Sequence, residues 1–219
     1  KAWISEDSLA PECSCSITID DASLLIKYPW DLLSLCEIIV GSKKKNLIKG
    51  EIRDAVYIDG IVELGEGSVL LPGVFIEGNV SIGKNCKIGP NCHLRGNTSI
   101  GDNCHIGNAV EIKNSWIMDG VSAGHLTFIG DSIICSNCNL GAGTITSNLR
   151  HDKTNQRSEI GGKLIDTGRM KLGAVIGKNA RTGIKTAIYP GRKIWPDLWT
   201  IPGEIVKKDL HCDKIKSGA

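Results

Sequence analysis

From Ile52 onwards every sixth residue is aliphatic or methionine: Ile58, Leu64, Leu70, Ile76, Ile82, Ile88, Leu94, Ile100, Ile106, Ile112 and Met118. An amphipathic helix repeats its apolar side every 3.6 residues and a half-buried strand every 2, so neither produces a beat of six. The residue after the stop is Gly at 65, 83, 89, 101 and 107, which reads as a turn of positive φ. A six-residue repeat predicts an all-β fold, a parallel β-helix built of very short strands. Three hexads close one triangular coil, and residues 18 apart then stack about 4.8 Å from each other.

The beat slips once. From Met118 the next stop is Ile134, a step of 16, and the pattern continues through Leu140, Thr146, Leu164, Met170, Ile176, Thr182, Ile188 and Ile194. Between Leu149 and Ser158 the run LRHDKTNQRS offers no aliphatic residue after its first, so an outward loop is expected near 149–163; on a rigid scaffold such loops carry function. The β-helix is therefore expected over 51–205, after an N-terminal segment, 1–50, and before a polar tail, 206–219. Within the first segment YPWDLLSLCEIIVG predicts a short helix with Asp31 as N-cap and Gly41 at its end. SKKKN follows as a solvated linker.

Composition agrees: aromatic residues are 5% and 26 residues are Gly, which favours short strands and tight turns over helical bundles. The net charge is +2 with both signs interspersed, so neither nucleic acid nor a membrane surface is an expected partner. No apolar run approaches the ~20 residues of a membrane span, and KAWISEDSLAPEC lacks the order of a signal peptide. Nine cysteines, an odd number, point to a reducing, cytoplasmic setting. Cys86, Cys92, Cys104 and Cys138 each precede a stop by two residues, where a small core side chain belongs. Cys13-Ser-Cys15 is too closely spaced for a zinc site, and no metal is called for.

The residue types between 122 and 152 suit acyl transfer, which needs a base, donors for an oxyanion and room for an acyl carrier. His125 is the natural base. Gly141-Ala142-Gly143 lets a ligand approach the backbone, and Asn139 and Asn148 offer donors and acceptors. His93 and His105 face outward beside stops and read as surface. Arg95 and Lys113, 18 apart, stack in one column; two such cations repel unless an anion, a phosphate for example, lies between them. The alternative is an ion-pair ladder, in which Glu77 pairs Arg95.

These residues carry a resemblance. Arg95, Val110-Glu111-Ile112-Lys113, His125-Leu126-Thr127-Phe128-Ile129-Gly130-Asp131 and Asn139-Leu140-Gly141-Ala142-Gly143-Thr144 through Asn148 match a family pattern without gaps. The pattern is that of the acetyltransferase part of the bifunctional uridylyltransferase/glucosamine-1-phosphate acetyltransferases, and still more the archaeal sugar-1-phosphate nucleotidyltransferases. The resemblance implies a left-handed β-helix, trimeric, that acetylates an amino-sugar 1-phosphate from acetyl-CoA in nucleotide-sugar biosynthesis. It gives His125 the role of general base, and Arg95, Lys113, Phe128, Asn139, Asn148 and Lys153 contacts to the sugar phosphate. Ala142, and Gly173-Ala174 of a neighbouring chain, would contact the CoA. The chain departs from the pattern at Phe128, where the family has tyrosine, at Thr154, where it has lysine, and at Trp195, where glycine is common. The glycine-rich nucleotidyltransferase loop is absent from these residues. A second reading is therefore a non-catalytic trimeric scaffold that binds sugar phosphate and partners a separate nucleotidyltransferase.

Overall fold

The computed structural model describes residues 24–211 in full and the backbone of Ala2–Ile4, which pairs in parallel with Leu24–Ile26. The expected left-handed parallel β-helix is the fold of these residues. Strands of two to four residues stack into three parallel sheets of seven, eight and eight strands, one sheet per side of the triangle. We call them the histidine face, which contains His105–Asn108 and Ser122–His125, the site face, which contains His93–Arg95, Glu111–Lys113 and Phe128–Gly130, and the helix face, which contains Trp116–Ile117 and Ala174–Ile176. No helix of the described residues is long and apolar enough to cross a membrane.

The beat generates the core. Leu64, Leu70, Ile76, Ile82, Ile88, Leu94, Ile106 and Ile112 point inward and are fully buried, with Cys86, Cys92, Cys104 and Cys138 filling the narrower corners between them. Of the glycines that follow the stops, Gly89 has the expected positive φ, 102°, but Gly65, Gly83, Gly101 and Gly107 do a different job. Positive φ falls two residues later, at Gly67, Asn85, Asn103, Gly120 and Asn137. Gly65 and Gly107 are glycines for lack of space: a Cβ on Gly65 would lie 2.4 Å from the Gly83 carbonyl oxygen, and one on Gly107 would lie 2.0 Å from that of Gly124.

The slip also falls elsewhere. After Ile112 the buried stops are Ile117, Ala123, Ile129, Ile134, Leu140 and Thr146, so two steps are of five residues, 112 to 117 and 129 to 134. Both lie at the corner where the site face turns into the helix face. Register follows: Leu94 faces Ile112 at a spacing of 18, but Ile112 faces Ile129 and Ile117 faces Ile134 at 17. Met118 is not a core stop; it packs beside Ile133 and Leu172 under the helix.

Leu164 and Met170 leave the pattern too, at 59% and 49% exposed. They belong to the loop, which is longer than 149–163: Leu149 bridges Lys171, and Arg157–Ile160 pairs antiparallel with Lys163–Asp166. The solenoid resumes at Ala174–Ile176. It begins at Leu47–Ile48, slightly before 51, and the Ile194–Leu210 bridge carries it past 205. Residues 212–219 of the tail, and Cys13 and Cys15, lie outside the described residues.

The helix, Asp31–Gly41, is docked on the helix face. Its N-cap is Trp30, not Asp31; the Asp31 carboxylate instead accepts from the Lys27 and Tyr28 amides, both at 2.8 Å. Leu33, Cys36 and Val40 are buried against the coils, and the Asn79 side chain donates to the Val40, Gly41 and Lys43 carbonyls. The linker is not free in solvent either, since Lys43 pairs with Glu63 and Asn46 accepts from the Val62 amide.

Candidate active site

The five-residue steps mark the corner where side chains from three successive coils meet. Lys113 ends its strand and points its ammonium at Asp131, with Nζ 3.0 Å from Oδ2 and 3.3 Å from Oδ1. Asn148, one coil further, donates to the same Oδ2 at 2.5 Å. The Phe128 ring lies beside Gly130: a Cβ there would be 2.7 Å from the ring and 2.8 Å from the Asn148 amide nitrogen. One coil earlier Arg95 donates through Nε to Glu111 at 2.8 Å. Arg95, Lys113, Phe128 and Asn148 thus share one end of the site face.

The stacked cations are an ion-pair ladder, but with different partners from those expected. Glu111 neutralises Arg95 and Asp131 neutralises Lys113. Glu77 turns to His93, 3.2 Å away, whose ring also stacks on Phe75. The repulsion that called for a bound anion is therefore met by carboxylates, each supplied from the next coil.

His125 lies at the opposite corner, exposed, in register with Asn108. Asn108 precedes Lys113 by five residues, so up to about 16 Å of extended chain separates the imidazole corner from the ammonium corner. Among the described residues no hydrogen bond or ion pair joins them, since Lys113 is bound to Asp131 and Arg95 to Glu111. His125 does meet the glycine-rich turn: its carbonyl accepts from the Gly143 amide at 3.2 Å. Asn139 is in register with Ser122 on the histidine face. Burial, then Lys87, then His125 hold the neighbouring His105 imidazole below its usual pKa.

The remaining expected residues have other surroundings. The Gly173 amide donates to the Asp131 carbonyl at 2.8 Å, and the Ala174 amide to Ser132 Oγ at 2.9 Å. Ala174 is fully buried, so both residues are committed to coil stacking. Lys153 is exposed in a tight turn of the loop, with φ 55°. Trp195 packs against His211 with the rings tilted, centroids 5.2 Å apart.

Beyond Phe128 the site face continues into a cavity of about 640 Å³. Its floor includes Ile145, Ala187 and Tyr189, and its wall includes Arg150, His151 and Arg192. Arg150 pairs with Asp152, whereas Arg192 donates to the Arg157 and Pro190 carbonyls. Ile145, in register with Phe128, and Ser147, next to Asn148, line the cavity, whereas Lys113, Phe128, Asp131 and Asn148 are not part of its lining.

Sequence reasoning missed Glu111 and Asp131. A signal for Asp131 was present in the corner column: Gly60, Gly78, Gly96, Asn114 and Asp131, all with positive φ. Glycine suffices there three times, then the chain places an amide and a carboxylate.

The family model described as the GMPPB C-terminal domain matches residues 76–197, more than half of the chain. The chain belongs to this family. A bifunctional sugar-1-phosphate nucleotidylyltransferase/acetyltransferase of Sulfurisphaera tokodaii is 40% identical over 185 residues, 84% of this chain and 46% of that protein. Proteins named bifunctional protein GlmU from Methanococcus aeolicus and Methanococcus maripaludis are 42% and 54% identical over 190 and 169 residues. These alignments take in 87% and 77% of this chain but 46% and 41% of the relatives. The chain thus spans less than half the length of the curated relatives it matches.

Proposed function

We propose that the chain transfers acetyl from acetyl-CoA to the amine of an amino-sugar 1-phosphate, with glucosamine-1-phosphate the first acceptor to test. The observation that carries this reading is the convergence of Lys113, Phe128 and Asn148 from three coils, next to a cavity whose lining residues Ile145 and Ser147 adjoin Phe128 and Asn148. The names of the relatives, which span sugar 1-phosphates and acetyl transfer, support it. Arg95 and Lys113 hold the phosphate, and Phe128 and Asn148 bracket the sugar. The amine attacks the thioester carbonyl, the C–S bond breaks and the CoA thiolate leaves. His125 takes the amine proton and passes it to the thiolate. Ala142 and Asn139 line the approach of the acyl carrier. Because one chain keeps His125 and Lys113 at opposite corners, a working site needs the histidine corner of one copy against the site face of another, as in a homotrimer.

The test is release of free thiol from acetyl-CoA with glucosamine- or galactosamine-1-phosphate. His125→Ala should lower kcat by ~10²–10⁴-fold, the usual worth of a general base. No release above that variant, with any hexosamine phosphate, refutes the proposal. One observation favours a second reading, a non-catalytic scaffold: both cationic anchors are already neutralised by Glu111 and Asp131. A scaffold would be stabilised against heat by sugar phosphate and not by acetyl-CoA, whereas the enzyme would be stabilised by both.

A further inference from the structure

We infer that Asp131 is the positioning residue of the acceptor site, holding Lys113 and Asn148 in the arrangement that receives the sugar phosphate; this rests on the function proposed above. The Asp131 side chain is 4% exposed and its carboxylate is saturated. Oδ1 accepts from Lys113 at 3.3 Å and from Asn114 at 3.1 Å, and Oδ2 from Lys113 at 3.0 Å and from Asn148 at 2.5 Å. With every acceptor position taken, Asp131 has nothing left for a ligand; it acts through the groups it holds. Lys113 and Asn148 come from the coils on either side of Asp131, so no local backbone geometry fixes their mutual distance. A shared buried carboxylate does.

Three features mark this as a built arrangement. Asp131 has φ 48° and Asn114 φ 46°, in a column where Gly60, Gly78 and Gly96 serve the turn without a side chain. The solenoid is shortened by one residue at this corner twice, in the preceding coil between Ile112 and Ile117 and in the step that contains Asp131, Ile129 to Ile134. The network is also braced from outside: the Asn114 amide that donates to Asp131 donates to Glu37 of the helix at 2.9 Å, and Glu37 pairs with Arg169. The helix thus supports the acceptor site through Asn114.

The test uses Asp131→Gly, which restores the residue this column uses elsewhere and keeps the turn, and Asp131→Asn, which keeps the shape but presents donors to donors. In variants that retain the wild-type circular dichroism and elution volume, the KM for hexosamine 1-phosphate should rise about tenfold or more, with the KM for acetyl-CoA within about twofold. Crystal structures of the variants should show Lys113 Nζ and the Asn148 amide displaced by more than about 1 Å. An unchanged acceptor KM, an equal rise in both KM values, or side chains that stay in place would overturn the inference. If the wild-type chain acetylates no hexosamine phosphate, the function proposed above fails, and the crystal structures alone still decide whether Asp131 positions its neighbours.

Discussion

The loop that walls the cavity is anchored at one point whose energy is open to measurement. Lys193 and Asp209 have side chains 10% and 1% exposed, and their charged groups lie 2.5 Å apart. Lys193 Nζ also donates to Ser158 Oγ at 2.8 Å and to the Glu159 carbonyl at 2.7 Å, both on the loop hairpin. Asp209 Oδ1 accepts from the Lys193 amide at 2.9 Å. The ammonium thus ties the C-terminal segment to the loop. Lys193→Met keeps length and packing but removes the charge, both hairpin bonds and the partner of a buried carboxylate. Breaking such a pair costs ~3–5 kcal/mol, mainly because an uncompensated charge stays buried. Adding Asp209→Asn removes that charge while keeping an acceptor for the Lys193 amide, so the double variant should recover about 2 kcal/mol of the loss. Urea unfolding gives the stabilities, and hydrogen exchange across Arg157–Ile160 and Lys163–Asp166 reports the loop directly. A single variant within ~1 kcal/mol of wild type, or costs that simply add, would refute the argument.

Gly173→Ala should prevent its coil from stacking, because the new Cβ would lie 2.1 Å from both the Gly130 carbonyl oxygen and Ser132 Oγ. A loss of about 2–3 kcal/mol or more in urea unfolding is expected; full stability with a raised KM for acetyl-CoA would instead assign this glycine to the cofactor. Burial pushes the Cys36 and Cys138 thiols up to about 12 and the Cys92 thiol to about 11. Little reactive thiolate then exists at pH 8, so mass-spectrometric mapping should find these three unmodified in the native protein after alkylation, with half-buried Cys135 modified before them; rapid labelling of Cys92 or Cys138 would show that the core opens.

Much of the solenoid was legible because a coil imposes its period on every residue at once. Ile58 to Ile112 recur without exception, and the small cysteines before the stops follow from the tapering corners. What escaped were features decided by atoms in another coil. Gly65 and Gly107 read as flexible turns, but their reason is a carbonyl one coil away. Arg95 suggested Glu77, its neighbour in register, yet its guanidinium reaches diagonally to Glu111. Leu164 and Met170 kept the period of six by coincidence of spacing, on a hairpin that the polar stretch before them had already led out of the coil. Periodicity tells which residues can stack, and side-chain reach then decides which of them pair.

The slip of the beat carries the most information, and its position depends on which side chains count as core. Ending the first run at Met118 places one irregular step of 16 around His125. Burial divides that interval differently, into regular steps through Ala123 and Ile129 and a five-residue step on either side. The six-residue steps on either side of His125 are then ordinary, and the anomaly belongs to the corner with Lys113, Asn114, Gly130 and Asp131. Removing a residue from a coil forfeits a position in the wall, and here it happens twice in succession at the same edge. A shortened corner brings Lys113, Asp131 and Asn148 within hydrogen-bonding reach across coils. The irregularity therefore locates the acceptor half of the site, while the histidine half rests on regular six-residue steps and depends on how copies pack.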